Sequence, residues 1–516
     1  MGRVKSFLMS AALLAGVNIF LRCISLSFNA YVSAKIGSES MGLFTLVMSV
    51  YGLSVTFATS GVNLAAVRLT AERTAFLVDS CAESAAYKRT VRSVMIACSL
   101  YSLMFGMTTG ILLWFASPFV GGYLLGDIRT VLSLRVLALS LPAISLTSAL
   151  SGCFTGLRKV YKNALSSLIE QSAKIILISG ALCVGVPILT DRVEYACLAV
   201  VGGGAVSEGL SLIVNVVMYA FDSKRPAGCA KGKNKYRITA THVRDTAAVS
   251  LPVALGAYAR QGLSTAEHLM IPWSLKKSGL SDSSALSVYG VLHGMVFPMI
   301  LFPSAVVSSA AGLLIPELAE LHALGKKREE QSVMRTSLGC CAMFSVGCAA
   351  LFLFFGDELG TALYRSKDAG RMIRLCAPLV PVMYTDMVVD CVLKGIGEQL
   401  ASMRINIIDS FLSLVFVVIL VPRWGIKGYI VSVYVCEILN FFLSFSRLRR
   451  VTGIDIGIPQ LIIRPCFLCL FALCVSKLVL ILFPTQSGRA PLIFSLLYLI
   501  FSGIFTHSSL KRKKVC

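Results

Sequence analysis

Apolar residues occupy this chain in long blocks separated by short polar stretches. About fourteen blocks reach the roughly 20 residues that a bilayer-crossing helix needs. They fall near 7–29, 41–65, 91–115, 131–151, 163–186, 196–220, 246–270, 286–310, 336–356, 372–393, 403–421, 427–446, 461–483 and 490–507. The pattern predicts an all-α polytopic membrane protein. The longest polar interruption runs from Phe221 to Thr246 and leaves six blocks before it and eight after. The expected organisation is a six-helix lobe over 1–221, a basic cytoplasmic linker over 222–245, a second six-helix lobe over 246–450, and two further helices with a basic tail over 451–516.

A weak internal repeat agrees with two lobes. The first block carries Arg22 and the seventh carries Arg260. The second ends in Leu69-Thr70-Ala71-Glu72 and the eighth in Glu317-Leu318-Ala319-Glu320. The second lobe then begins about 240 residues after the first, as in transporters built from parallel repeats. Pro298 and Pro303 in the eighth block, and Pro378 and Pro381 in the tenth, mark bends, either static or hinges for a rocking motion.

Composition supports the membrane reading: 56% of residues are hydrophobic and 14% charged, where soluble domains carry about 25% charged. The net charge of +22 raises the question of nucleic acid, but its distribution answers otherwise. With a cytoplasmic N-terminus and alternating sides, the inner loops hold more than twice the Lys and Arg of the outer ones, as the positive-inside rule requires. The inner set includes Lys88, Arg89, Arg92, Arg158, Lys159, the loop Lys224 to Arg244, Lys326, Lys327, Arg328, Arg447, Arg449, Arg450 and Lys511 to Lys514. Both termini are expected in the cytoplasm, the basic loops against anionic lipid head groups, and no nucleic acid partner. Met1 to Lys5 resembles the basic start of a signal peptide. The apolar run after it is too long, and no small-residue cleavage site follows, so an uncleaved first helix is expected.

Most of the 17 cysteines lie inside apolar blocks and read as small packing residues in a reducing cell. Cys466 and Cys469 form a C-x-x-C with no histidine nearby. Gly325-Lys326-Lys327 lacks the other residues of a phosphate-binding loop, no metalloprotease motif occurs, and the five histidines are scattered. Neither a cofactor nor a metal is called for, and the chain does not read as an enzyme. Transport would draw on a gradient.

The charges inside apolar blocks carry the chemistry. A charge at the centre of a membrane helix costs about 2.5–3.5 kcal/mol on insertion scales, so such residues persist where they meet water or a partner. Arg22 and Arg260 are candidate substrate-binding residues, because guanidinium is permanently charged and forks onto phosphate oxygens. The alternative is a structural ion pair with Glu208 or Asp386. Glu170 and Lys174 stand four apart on the fifth block and read as a structural pair. Asp386, Asp390, Asp409, Glu437 and Glu267 are candidates for carrying protons or a coupling cation. Asp409 is close enough to a helix end to be interfacial, and Glu267 with its neighbour His268 reads equally as a snorkelling pair.

The tenth to twelfth blocks carry long motifs: Ala377-Pro378-Leu379-Val380-Pro381-Val382-Met383-Tyr384, then Asp386, Leu393-Lys394-Gly395-Ile396-Gly397-Glu398-Gln399, Asn406-Ile407-Ile408-Asp409-Ser410 and Val421-Pro422-Arg423-Trp424-Gly425. With Leu314-Ile315-Pro316-Glu317 and Ser60-Gly61-Val62-Asn63, they resemble stage V sporulation protein B-like polysaccharide exporters of the multidrug/oligosaccharidyl-lipid/polysaccharide superfamily. The resemblance implies two six-helix lobes around a central cavity and alternating access. It also implies a lipid-linked saccharide substrate, such as lipid II or a polysaccharide intermediate, for cell-wall or polysaccharide biosynthesis in the bacterial plasma membrane. Cell-wall synthesis proteins are further candidate partners. The competing expectations are a cation-coupled multidrug exporter of the same superfamily and a non-transporting scaffold.

Overall fold

The computed structural model describes residues 2–79, 84–157, 159–184, 193–224, 240–454, 463–482 and 498. Among them every regular element is a helix. They are α1 Gly2–Thr59, α2 Val62–Asp79, α3 Ser84–Phe119, α4 Thr130–Gly156, α5 Val160–Val184, α6 Val193–Lys224, α7 Ala240–Lys277, α8 Asp282–Tyr289, α9 Phe297–Leu301, α10 Ser304–Ala323, α11 Lys327–Tyr364, α12 Lys367–Cys376, α13 Val380–Gly395, α14 Gln399–Trp424, α15 Ile426–Thr452 and α16 Arg464–Leu482.

Eleven stretches of the described residues are long and apolar enough to cross a membrane. The count differs from fourteen for local reasons. The first two blocks run together as Ile19–Glu72, and the eighth is divided into Asp282–Leu301 and Ser304–Ala323. Neither α7 nor α16 is among the eleven. The last block, 490–507, lies outside the described residues except for Tyr498, and so does most of the expected linker, 225–239.

The breaks have sequence causes. Gly37 adopts φ 79° and ψ 172° and bends α1 between the first two blocks, a conformation that a Cβ disfavours. Ser60 and Gly61 (φ 41° and 69°) separate α1 from α2. The expected proline bends are present. A π-helical turn, Gly290–Val296, precedes Pro298, and α10 starts directly after Pro303. Pro378 sits in a 3-10 turn, Ala377–Leu379, between α12 and α13. A proline removes one backbone donor and crowds the preceding turn, so helices bend there.

The contacts gather the chain into two compact units, residues 39–273 and residues 1–38 with 274–516. These boundaries differ from the lobes expected at 1–221 and 246–450, because helices are grouped by packing rather than by the loop that precedes them. In the 39–273 unit, α7 packs along the second arm of α1. Small residues let the neighbouring helices approach closely. A Cβ on Gly110 of α3 would stand 2.9 Å from the Ala138 carbonyl, and one on Gly156 of α4 would stand 2.7 Å from the Val67 carbonyl. The core there holds Val62, Ala66, Cys98, Tyr101, Ala149, Cys153 and Phe154.

In the other unit, the first arm of α1 contributes Ala30 to a large core with Met295, Ile300, Tyr384 and Val389. Ser38 Oγ lies 2.6 Å from Ser287 Oγ. Tyr384 donates to the Ile300 carbonyl at 2.5 Å. Tyr498 donates to the Met343 carbonyl at 2.5 Å, its ring occupying the space where a Gly347 side chain would stand. Ala350, Cys469 and Ala472 complete that smaller cluster.

Candidate functional site

The setting of Arg260 follows from how α7 is held. Ser250, Ala254, Tyr258, Gln261 and Thr265 recur every three or four residues and so share one face. Gly61 abuts the Ser250 carbonyl so closely that a Cβ would stand 2.8 Å from it. Tyr258 donates to Ser60 Oγ at 2.6 Å and stacks on Phe57 at 4.3 Å between ring centroids. Thr265 donates to the Ser49 carbonyl at 3.1 Å. At 3.6 residues per turn, Arg260 lies about 200° round the helix from Tyr258. It is exposed and makes no ion pair among the described residues. Arg22 stands on the first arm of α1, one turn before Leu26, which packs against the core. It too is exposed and without an ion pair among the described residues. The carboxylates that offered themselves as partners, Glu208 and Asp386, are engaged elsewhere.

Glu208 lies midway along α6. Its Oε2 is 2.7 Å from the Tyr51 hydroxyl, which is 2.5 Å from Ser140 Oγ on α4. Ser140 in turn donates to the Leu137 carbonyl at 2.9 Å. Glu170 and Lys174 of α5 are within electrostatic reach of Glu208. Among the described residues no ion pair joins these two to each other, contrary to the structural pair expected from their spacing. The Lys174 stem instead leans over Gly204 of α6, 3.9 Å from where a Cβ would stand.

The expected coupling carboxylates divide. Asp390 is neutralised: Lys394 Nζ lies 2.5 Å away and Ser402 donates to its other oxygen. Glu398 nearby accepts from Arg447 at 2.7 Å. Asp386 has no such cation. Asn440 of α15 donates to its Oδ2 at 3.0 Å. Its Oδ1 and the Asn440 Oδ1 are both buried without a hydrogen bond among the described residues, with the Ser444 hydroxyl close to the carboxyl group. A buried carboxyl oxygen without a hydrogen bond is what a proton or a cation would satisfy. Asp409 of α14 stands within electrostatic range of Asp386. Glu437 is half-buried three residues before Asn440, and Glu267 is half-buried one residue before His268.

Four residues escaped the sequence reading. Tyr51 and Asn440 look like ordinary residues of apolar blocks, and only the fold brings them to a carboxyl group. Lys162 is 4% exposed, donates to the Met218 carbonyl at 3.0 Å and lies 4.8 Å from the Phe154 ring; by position alone it is one more interfacial lysine. His293, in the π-helical turn, has its Nε2 2.9 Å from the Tyr429 hydroxyl and stacks on Tyr289 at 4.7 Å. Its stretch carries Gly290, Gly294 and Pro298, and π-helical turns recur at functional positions.

A helical membrane carrier is the class that this fold and these intramembrane charges define. The chain belongs to the polysaccharide biosynthesis protein family, whose family model matches residues 7–322; the MatE model matches 275–419. It is similar to stage V sporulation protein B of Bacillus subtilis (strain 168), 23% identical over 461 residues, 88% of this chain and 86% of that one. It is also similar to sporulation protein YkvU of the same organism, 21% identical over 88% of this chain and 97% of that one. Among solved structures, the lipid II flippase MurJ in an inward closed conformation superposes with a TM-score of 0.68 at 15% identity, over 97% of this chain and all of that one. An inward-facing multidrug resistance MATE family transporter of the MOP superfamily gives 0.62 at 15% identity, over 86% of this chain and all of that one. The fold is that of the MOP superfamily.

Proposed function

We propose that the protein moves a polyprenyl-pyrophosphate-linked saccharide, of the lipid II or polysaccharide-intermediate kind, across the bacterial plasma membrane by alternating access, with both termini in the cytoplasm. The observation that carries this reading is a pair of guanidinium groups, Arg22 and Arg260, on membrane helices and without an ion pair among the described residues. An unneutralised charge at such a position is costly. It is repaid when an anion arrives, and a pyrophosphate offers the paired oxygens that guanidinium grips in two places. Asp386 is the coupling residue in this reading, because its orphaned Oδ1 awaits a proton or a cation. Asp390, held by Lys394, serves structure. Asp409, Glu437 and Glu267 are secondary coupling candidates, and membrane lipids and cell-wall synthesis proteins are the expected neighbours.

The test is translocation in vesicles containing the full-length protein and either lipid II or a polyprenyl-pyrophosphate-linked capsule intermediate. Arg22→Ala and Arg260→Ala are each expected to lose about tenfold or more in rate, the loss of one charge-assisted contact at about 1.5–3 kcal/mol. Full activity in both variants would overturn the assignment. The match of residues 275–419 to the MatE model favours a second reading, a cation-coupled exporter of drug-like molecules. That protein would respond to Asp386→Asn and be indifferent to Arg22→Ala.

A further inference from the structure

The hydrogen-bond chain at Glu208 holds more close contacts than its hydroxyl groups have hydrogens. Three oxygen–oxygen contacts lie in series: Glu208 Oε2 to Tyr51 Oη at 2.7 Å, Tyr51 Oη to Ser140 Oγ at 2.5 Å, and Ser140 Oγ to the Leu137 carbonyl at 2.9 Å. Each contact at these lengths needs one hydrogen. Tyr51 and Ser140 supply one each. The Leu137 carbonyl supplies none, and its bond commits the Ser140 hydrogen. The Tyr51 hydrogen then serves the contact to Ser140. The remaining contact lacks a hydrogen unless Glu208 carries it. Tyr51 is 3% exposed and Ser140 4%, so water does not make up the difference.

We propose that Glu208 is a proton-binding site of the transport cycle, occupied in this structure, with Tyr51 and Ser140 as its relay. In the loaded state every donor points one way, from Glu208 through Tyr51 and Ser140 to the Leu137 carbonyl. On release, the carboxyl O–H bond breaks and the proton leaves to water. Tyr51 then turns to donate to the carboxylate, and Ser140 swings from Leu137 to donate to Tyr51. The chain thus holds two hydrogen-bond directions without moving a backbone atom. The charged groups facing Glu208 are Glu170 and Lys174 of α5. Their opposite signs leave the site without a dominant countercharge, and Lys174, held over Gly204, does not form the close ion pair that would fix the carboxylate in its charged form. This site is separate from Asp386: Glu208 sits in the 39–273 unit, Asp386 in the other.

Infrared spectroscopy of the full-length protein in lipid vesicles tests the occupancy. At neutral pH the difference between wild type and Glu208→Gln should contain the C=O stretch of one protonated carboxyl group, and Asp386→Asn should retain that band. Glutamine can donate to Tyr51 as the acid does, so the variant preserves the loaded arrangement. Tyr51→Phe, which keeps the acid and removes its acceptor, should move the band to the higher frequency of a free carboxyl group. A difference spectrum without the band, or a band unmoved in Tyr51→Phe, overturns the assignment. In the same vesicles with lipid II and an imposed pH gradient, Glu208→Gln should lose the response of translocation to the gradient; an unchanged response removes the site from the cycle. Wild-type protein that moves no lipid would defeat the proposed substrate and leave the spectroscopic result standing.

Discussion

Each of the two units contains a helix broken near its middle, and the two breaks are built from opposite chemistry. In the 39–273 unit the break is conformational. Ser60 and Gly61 take positive φ, and hydroxyl groups close the gap: Tyr258 reaches Ser60 at 2.6 Å and Tyr101 reaches it at 3.1 Å. In the other unit no residue of the break has positive φ. A π-helical turn and Pro303 interrupt the ladder there, and aromatic rings surround it: Tyr289, His293, Phe297 and Tyr429. The Tyr384 hydroxyl meets the Ile300 carbonyl just ahead of Pro303. The spacing makes the correspondence firm: 242 residues separate Gly37 from Gly279, both at positive φ, and 242 again separate Gly61 from Pro303. The two breaks thus fall at matching distances along the chain and are made by different means. What the helix needs at that point is an interruption with satisfied backbone groups, and several side-chain sets provide one.

Three substitutions would break or sharpen this comparison. The largest effect is expected for Gly61→Ala, which meets the Ser250 carbonyl at 2.8 Å and φ 69° together. The strained conformation costs about 1–2 kcal/mol and the close approach adds to it, so thermal unfolding of the purified protein should fall by several degrees. A neutral result would show that the break tolerates a Cβ and is not conformational. Tyr384→Phe should cost about 1 kcal/mol, the usual value of one buried hydrogen bond, and lower the unfolding temperature less. No change would separate the tyrosine from the break in its unit. Gly37→Ala should cost about 1 kcal/mol or more, the low end for a conformation that glycine alone adopts readily, since its surroundings are open and only the backbone opposes the methyl group. An effect as large as that of Gly61→Ala would mean that conformation, not close packing, governs both.

The sequence made the helical segments, the membrane setting and the superfamily legible, because each rests on local runs of residues. The repeat was visible at about 240 residues through Arg22 and Arg260, yet these two are not equivalent. Arg22 precedes Gly37 by 15 residues and Arg260 precedes Gly279 by 19, a difference of about one helical turn or 6 Å. The carboxylates were harder to sort. Asp386 and Asp390 share a helix face, which groups them by spacing; Lys394, four residues on, separates their fates. The Tyr51–Glu208 contact joins positions 157 residues apart, and nothing in either neighbourhood announces it. Glu170 and Lys174 have the spacing of an ion pair, yet none joins them among the described residues.

Tyr498 gives the C-terminal region a meaning beyond an appendage. Because its ring fills the notch over Gly347 and its hydroxyl caps the Met343 carbonyl, α11 is finished only when the chain's far end has arrived. A truncated protein lacking that tyrosine would leave an open slot along α11 where the ring now packs. Loss of function after such a deletion would therefore report on the integrity of α11 as much as on the missing tail.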